Sequence, residues 1–155
     1  MEYRRYKPED FADLYAIEEV CFQPPFRFKR RYMQRLVDAA NSATWIAEAD
    51  GAMTGFAIVE WTQGIRGVSA YIETIEILPD HRRRGVGNEL MRLVESSARE
   101  AKALVMWLHV DAKNEGAKRM YESQGYEFYG KEDDFYAPGQ GALIYKKSLA
   151  VNTEV

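Results

Sequence analysis

Leu78-Pro79-Asp80-His81-Arg82-Arg83-Arg84-Gly85-Val86-Gly87-Asn88 is the stretch on which the fold turns. Before it, Ser69–Leu78 reads as a strand closed by Pro79. After it, Gly85 to about Ala101 reads as a helix, with Val86, Leu90, Leu93, Val94 and Ser97 on one stripe. A loop of glycines and three arginines between a strand and a helix is suited to a phosphate. The glycines let backbone approach closely, the helix N-terminus presents unpaired N–H groups and a partial positive charge, and arginine adds charge-assisted donors. A dinucleotide fingerprint would need glycine where Leu90 stands, and a Walker loop would need Gly-Lys-Ser/Thr, which is absent. On these residues alone, a solvated arginine turn capping a helix fits as well as a phosphate cradle.

Working outward, residues 2–6 read as a short first strand. Pro8, followed by Glu9 and Asp10, opens a helix to about Phe22, its apolar side carried by Phe11, Leu14, Ile17 and Cys21. Pro24-Pro25 breaks it, and a second, arginine-rich amphipathic helix follows over about 28–40. Thr44–Ala49 and Ala52–Trp61 form a hairpin around Asp50-Gly51, with Gly55 marking a bulge. Gly64 and Gly67 punctuate the next loop. Leu104–Val110 is nearly continuous in apolar residues, as in a strand covered on both faces. Asn114–Gln124 is a helix closed by Gly125. Tyr126–Lys131 and Ala142–Ser148 are final strands around a loop at 132–141. The order β-α-α-β-β-β-α-β-α-β-β predicts an α/β fold on a mixed sheet, with a crossover that makes at least one pair parallel.

The 155 residues fit one domain over 1–150, with 151–155 as a frayed tail. A net charge of -3, from 21 basic and 24 acidic residues, gives no case for nucleic acid or an anionic membrane as partner. No stretch approaches the roughly 18 apolar residues of a membrane span, and no secretory signal follows Met1. The single cysteine, Cys21, permits neither an intrachain disulfide nor a cysteine-based zinc site, so a cytoplasmic location is expected. Cys21 reads as a small core residue and His81 as loop surface; no metal is expected.

Arg82-x-x-Gly85-x-Gly87 resembles the acetyl-CoA signature of the GNAT superfamily, Arg/Gln-x-x-Gly-x-Gly/Ala. A second block resembles the same family: Leu108-His109-Val110-Asp111-Ala112-Lys113-Asn114, then Ala117, Met120-Tyr121 and Gly125-Tyr126. The two blocks and the order of elements cover essentially the whole chain. The resemblance implies a GNAT fold: a twisted mixed sheet of six or seven strands with about four helices, whose central parallel strands, here 69–78 and 104–110, splay apart. It implies acetyl-CoA as co-substrate, the pantetheine arm lying in that gap against the backbone of Ile75, Glu76 and Ile77. The pyrophosphate is expected on the N–H groups of Arg82, Arg83, Arg84, Gly85, Val86, Gly87 and Asn88. Asn114 is expected to hold the pantetheine arm, a role compatible with capping its helix.

A narrower resemblance is to protein N-terminal acetyltransferases, including the ribosomal-protein alanine type. It rests on Glu18-x-x-x-Phe22-x-Pro24-Pro25-Phe26 and on Phe135-Tyr136 with Gly139 and Ala142. It implies an N-acetyltransferase acting on a primary amine, such as a protein N-terminus, in a monomer or homodimer. Phe22, Pro25, Phe26 and Tyr136 would line the acceptor path, between the 22–30 loop and the 132–141 hairpin that the resemblance implies. A small amine acceptor, or a non-catalytic acyl-CoA-binding module, would keep the same motifs.

Direct acetyl transfer needs a neutral amine, a donor for the tetrahedral oxyanion and a proton for the thiolate. Tyr121 matches the family's proton donor, a phenol protonated at neutral pH. A backbone N–H near Ile77 would polarise the thioester. For the base, two residues stand open. Period-2 alternation puts Glu73 on one strand face with Tyr71, Ile75 and Ile77, and Thr74 and Glu76 on the other. His109 occupies the next strand, with a pKa range suited to a base. Tyr71 is placed to orient the base or a water.

Overall fold

Hydrophobic alternation and turn chemistry assemble into one seven-stranded sheet in a computed structural model that describes residues 1–150; the tail expected to fray lies outside the described residues. The strands are β1 (Glu2–Arg5), β2 (Ser42–Ala49), β3 (Ala52–Gly64), β4 (Gly67–Ile77), β5 (Ala103–Asp111), β6 (Glu127–Ala137) and β7 (Gln140–Ser148). Their order across the sheet is β1-β2-β3-β4-β5-β7-β6. The helices are α1 (Phe11–Cys21), α2 (Arg30–Asp38), α3 (Val86–Glu100) and α4 (Glu115–Ser123). Among the described residues only β4 and β5 run parallel, because α3 carries the chain back across the sheet between them; the other neighbours are antiparallel.

Each face of the sheet has its own core. On one face, Val86, Leu90, Met91 and Val94 of α3, with Tyr121 of α4, bury against Ala57, Val59, Ile72, Met106 and Leu108. On the other, Leu14 and Ile17 of α1 and Met33 and Leu36 of α2 bury against Ile46, Phe56 and Ile58. Because α1 and α2 pack on β2, β3 and β4, the outer strands β5, β7 and β6 carry no helix of their own on that face. Among the described residues no helix is long and apolar enough to cross a membrane.

Two irregularities shape the sheet. Between β2 and β3 the pairs Ala47–Gly55 and Glu48–Met53 leave Thr54 unmatched, a bulge beside the glycine that predicts it. Gly55 is also required by its other neighbour, since a Cβ there would stand 2.6 Å from the Glu76 carbonyl oxygen of β4. Between β3 and β4, Ile58 pairs with Thr74 but Val59 with Ile72, so Glu73 is an extra residue. Strict alternation therefore fails in β4. Ala70 and Ile72 face the α3 core before the bulge, and Ile75 and Ile77 face it after. Tyr71 thus lies on the face opposite Ile75 and Ile77, contrary to the period-2 expectation. Alternation carries no mark of an inserted residue.

The β4–β5 pairing ends with Ile72–Leu108, one residue before the bulge. Beyond it the strands part, as expected of a splayed central pair.

The segment 132–141 is the hairpin that the resemblance implies, not the loop that the local pattern suggests. β6 and β7 continue through it as a long hairpin that turns at Pro138-Gly139, where Gly139 has φ +78° and its N–H bonds the Asp134 carboxylate at 2.7 Å. Lys131-Glu132-Asp133-Asp134 lacks apolar alternation because this edge strand is exposed. The register slips between Glu132 and Ala137, so Phe135 and Tyr136 stand on an irregular stretch rather than in the ladder.

The 22–29 loop is tied to β4 through two buried acids. Glu18 of α1 accepts a hydrogen bond from the Phe28 N–H at 2.9 Å, and Glu76 accepts one from the Thr74 hydroxyl at 2.8 Å. The second oxygen of each is buried with no other partner. Burial, and next Glu18, push the Glu76 carboxyl well above the usual range. Glu76 therefore keeps its proton and can donate it to Glu18, which satisfies both orphaned oxygens.

Candidate active site

Where β4 and β5 part, a cleft of about 600 Å³ opens. Ile72, Glu73, Thr74 and Ile75 form one wall and His109, Val110 and Asp111 the other. Asn114, Ala117 and Tyr121 close one side. Phe22, Pro25, Phe26 and Phe28 from the 22–29 loop, with Phe135 and Tyr136 from the hairpin, close the opposite mouth. Tyr121, Glu73, His109 and Asn114 are thereby brought to one space, together with all four residues expected to line the acceptor path.

At the centre, the Tyr71 hydroxyl and His109 Nδ1 are 2.7 Å apart. Burial raises the Tyr71 phenol well beyond its usual range, so it keeps its proton and donates to Nδ1. That assignment puts the ring proton on Nε2. Nε2 is buried without a hydrogen bond, the Glu132 carboxylate standing 3.5 Å away. Burial lowers the His109 pKa, and Glu132 offsets part of that. Phe135 stacks flat on the imidazole at 4.0 Å and fixes its plane.

The bulge turns Glu73 toward α2, where the Tyr32 hydroxyl lies 3.4 Å from its carboxylate. Burial, and then the charge of Glu60, push its pKa up to about 7. A carboxylate held there exists in both protonation states near neutral pH, as a general base requires. Tyr121 is 8% exposed. Burial, and then Tyr136, raise its phenol well above the ordinary range, so the hydroxyl is protonated at neutral pH. Asn114 Oδ1 accepts the Ala117 N–H at 3.1 Å as the cap of α4, which leaves its amide N–H₂ for the cleft.

The 78–88 loop shows a division of labour. Gly85 has φ +83° and open space where a Cβ would be, whereas a Cβ on Gly87 would meet Met120 Sδ at 2.9 Å and Ile77 Cδ1 at 3.1 Å. Gly87 is thus needed for packing inside the fold, and Gly85 for the turn into α3. The Arg82 side chain reaches back, its Nε donating to the Ile77 carbonyl at 2.8 Å, so it braces the loop. Arg83 and Arg84 stay exposed, as do Gly85 and Asn88. The Glu76 side chain lies among buried groups and is available to a ligand through its backbone alone. His81 is half-buried rather than on the surface.

Sequence reasoning missed Tyr32, Glu60, Glu132 and the stacking role of Phe135. Tyr32 and Glu60 reach the site only through α2 packing and β3 pairing, for which no local motif exists. Phe135 stands in a recognised pair on the hairpin, but its stacking on His109 depends on a cross-strand geometry that no local motif marks.

The model of the acetyltransferase (GNAT) family matches residues 11–126. A streptothricin acetyltransferase from Streptomyces lavendulae is 38% identical over 98 residues, covering 63% of this chain and 51% of that protein, so the match spans about half that relative's length. A Bacillus subtilis protein, proposed as a ribosomal protein bS18-alanine N-acetyltransferase, is 28% identical over 91% of both chains. Among solved structures, Arabidopsis thaliana NAA60 in complex with acetyl-CoA superposes with a TM-score of 0.84 at 20% identity, covering 95% of this chain and 97% of that one.

Proposed function

The chain belongs to the acetyltransferase (GNAT) family and is an acetyl-CoA-dependent N-acetyltransferase, and on that premise we propose that it acetylates the α-amine of a peptide or protein N-terminus. The observation that carries this reading is the contact between Phe26 and Tyr136, whose rings stand 4.8 Å apart and tilted across the acceptor mouth. Two rings from separate segments, touching one another, narrow the mouth and offer an apolar edge against which an extended chain end can lie. The pKa of an α-amine, near 8, leaves an appreciable neutral fraction at neutral pH, whereas a lysine amine near 10.4 has far less.

In this reading the donor's pantetheine arm lies along the unpaired edge of β4 after Ile72, and its pyrophosphate at the N-terminus of α3. The amine approaches from the Phe26–Tyr136 side. Glu73 takes its proton, directly or through a water, while Tyr71 and His109 orient that water. The amine nitrogen forms the new C–N bond to the acetyl carbon. The tetrahedral oxyanion is stabilised by backbone N–H groups of β4, and the C–S bond breaks as Tyr121 protonates the sulfur. The phenolate so formed regains a proton from solvent.

A second reading, a small cationic amine as acceptor, draws on the streptothricin acetyltransferase match. One assay separates the two: release of free thiol from acetyl-CoA with peptides differing only in their first residues, beside spermidine and free amino acids. Turnover of peptides supports the proposal, and turnover of spermidine with no peptide active overturns it.

A further inference from the structure

On the face of the sheet that α1 and α2 leave bare, a second hollow of about 400 Å³ crosses β3, β4, β5 and the final hairpin. Its walls are Glu60, Tyr71, Trp107, His109, Tyr129 and Glu132. It shares His109 with the main cleft, so the two spaces meet at the Tyr71–His109 pair. Two carboxylates line it, and no lysine or arginine. Its aromatic wall already holds a cation at the rim. Trp107 and Tyr129 meet edge to face at 4.9 Å, and the Lys146 ammonium lies 4.7 Å from the Tyr129 ring centre and 5.6 Å from that of Trp107. Carboxylates beside π faces form a surface that takes an ammonium or guanidinium group, as the Lys146 ammonium at the rim illustrates.

We propose that this hollow is a second acceptor subsite, which takes the cationic side chain of a lysine or arginine within the first few residues after the acetylated N-terminus. The inference rests on the peptide reading above and narrows it to basic N-terminal sequences. The amine sits in the main cleft, and the chain passes over His109 and Phe135 into the hollow. There Glu60, fixed on β3 opposite Tyr71, anchors the charge. Glu132 forms the other wall and is half exposed, so it is free to turn from His109 toward an incoming cation.

The test compares kcat/KM for two peptides that share their N-terminal residue and differ only in carrying lysine or glutamine at the next positions. It uses the wild type, Glu60→Gln and Ser69→Lys. Glu60 also acts on Glu73, but that effect is common to both peptides and cancels in their ratio. The wild type should favour the lysine peptide by about fivefold at low salt, the size of a partly exposed ion pair, and the margin should shrink as salt rises. Glu60→Gln should bring the ratio toward one. Ser69 also lines the hollow, so Ser69→Lys sets a cation there and should invert the ratio; a melting curve confirms that each variant is folded. Equal rates for the two peptides in wild type, or a preference unchanged in both variants, overturns the subsite. If no peptide is turned over while diamines outpace monoamines through Glu60, the peptide reading fails and the cation subsite stands.

Discussion

The Tyr71 hydroxyl meets His109 Nδ1 at 2.7 Å across the point where β4 and β5 part, and Glu73 stands beside that point as the extra residue of its strand. The base in this arrangement is set by pH. A base must have lost its proton, so kcat/KM falls as pH drops through its pKa. The Glu73 value of about 7 places that limb near neutrality, whereas His109, lowered by burial, would place it below the usual histidine range. Glu73→Gln should cost about 10²-fold in kcat and abolish the limb. Glu60→Gln, by removing a nearby negative charge, should shift it toward acid. A limb that persists in Glu73→Gln and disappears in His109→Ala would transfer the role to His109.

Tyr121→Phe removes one buried hydroxyl and keeps the ring. If that hydroxyl protonates the leaving thiolate, kcat and kcat/KM should fall together by about 10²-fold, with the acetyl-CoA dissociation constant unchanged. Steady-state kinetics beside a binding titration check this. An acetyl donor with a more acidic thiol should recover part of the rate. A variant as fast as wild type removes Tyr121 from the chemistry.

The two glycines of the arginine loop should respond differently. Gly85→Asp meets no atom but takes φ +83°, at a strain of about 1–2 kcal/mol. It also sets a negative charge at the N-terminus of α3. It should fold with a lowered Tm and lose the thermal shift that acetyl-CoA gives the wild type. Gly87→Ala forces a Cβ against Met120 and Ile77 and should lose stability before it loses affinity. Normal acetyl-CoA binding by a folded Gly85→Asp would remove this loop from the donor site.

Tyr136→Ala opens the slot that Phe26 and Tyr136 close at 4.8 Å. KM for a peptide should rise, while KM for acetyl-CoA stays near the wild-type value. Equal changes in both would show that the hairpin supports the cleft as a whole rather than the acceptor.

Glu76 gives a stability signature separable from activity. Its folded pKa lies well above its unfolded value, so the folded protein holds a proton that the unfolded chain releases. Stability from this group is full below the unfolded pKa, near 4.5, and is lost as pH rises toward the folded value. Glu76→Gln keeps an N–H donor for Glu18 and an acceptor for the Thr74 hydroxyl without that proton. Melting curves should show the variant gaining on the wild type as pH rises from 5 to 9. A constant difference across that range would mean that no proton is shared there.

The elements that would carry the proposed donor half of the site were legible in the sequence. Arg82-x-x-Gly85-x-Gly87 and the block from Leu108 to Tyr121 place a strand, a turn and two helices in their observed order, because glycine, proline and apolar stripes act locally. The acceptor half was less legible. Glu73 owes its position to a register shift with β3, Phe135 to an irregular edge strand without apolar alternation, and Tyr32 to the docking of α2. Each depends on a partner distant along the chain, and a local pattern says nothing of such partners.

β4 reads like a text with a frame. Residues 74–77 point as they do because one supernumerary residue precedes them. A single-codon insertion after Thr74 would throw Ile75 and Ile77 out of the α3 core and swing Glu76 away from Glu18, whereas deletion of Glu73 would remove the bulge and leave their facing unchanged. The same insertion in the Gly64–Gly67 turn would leave that phase intact. The tolerance of this chain to insertions and deletions should therefore change abruptly between two neighbouring stretches, according to whether they count residues or merely connect them.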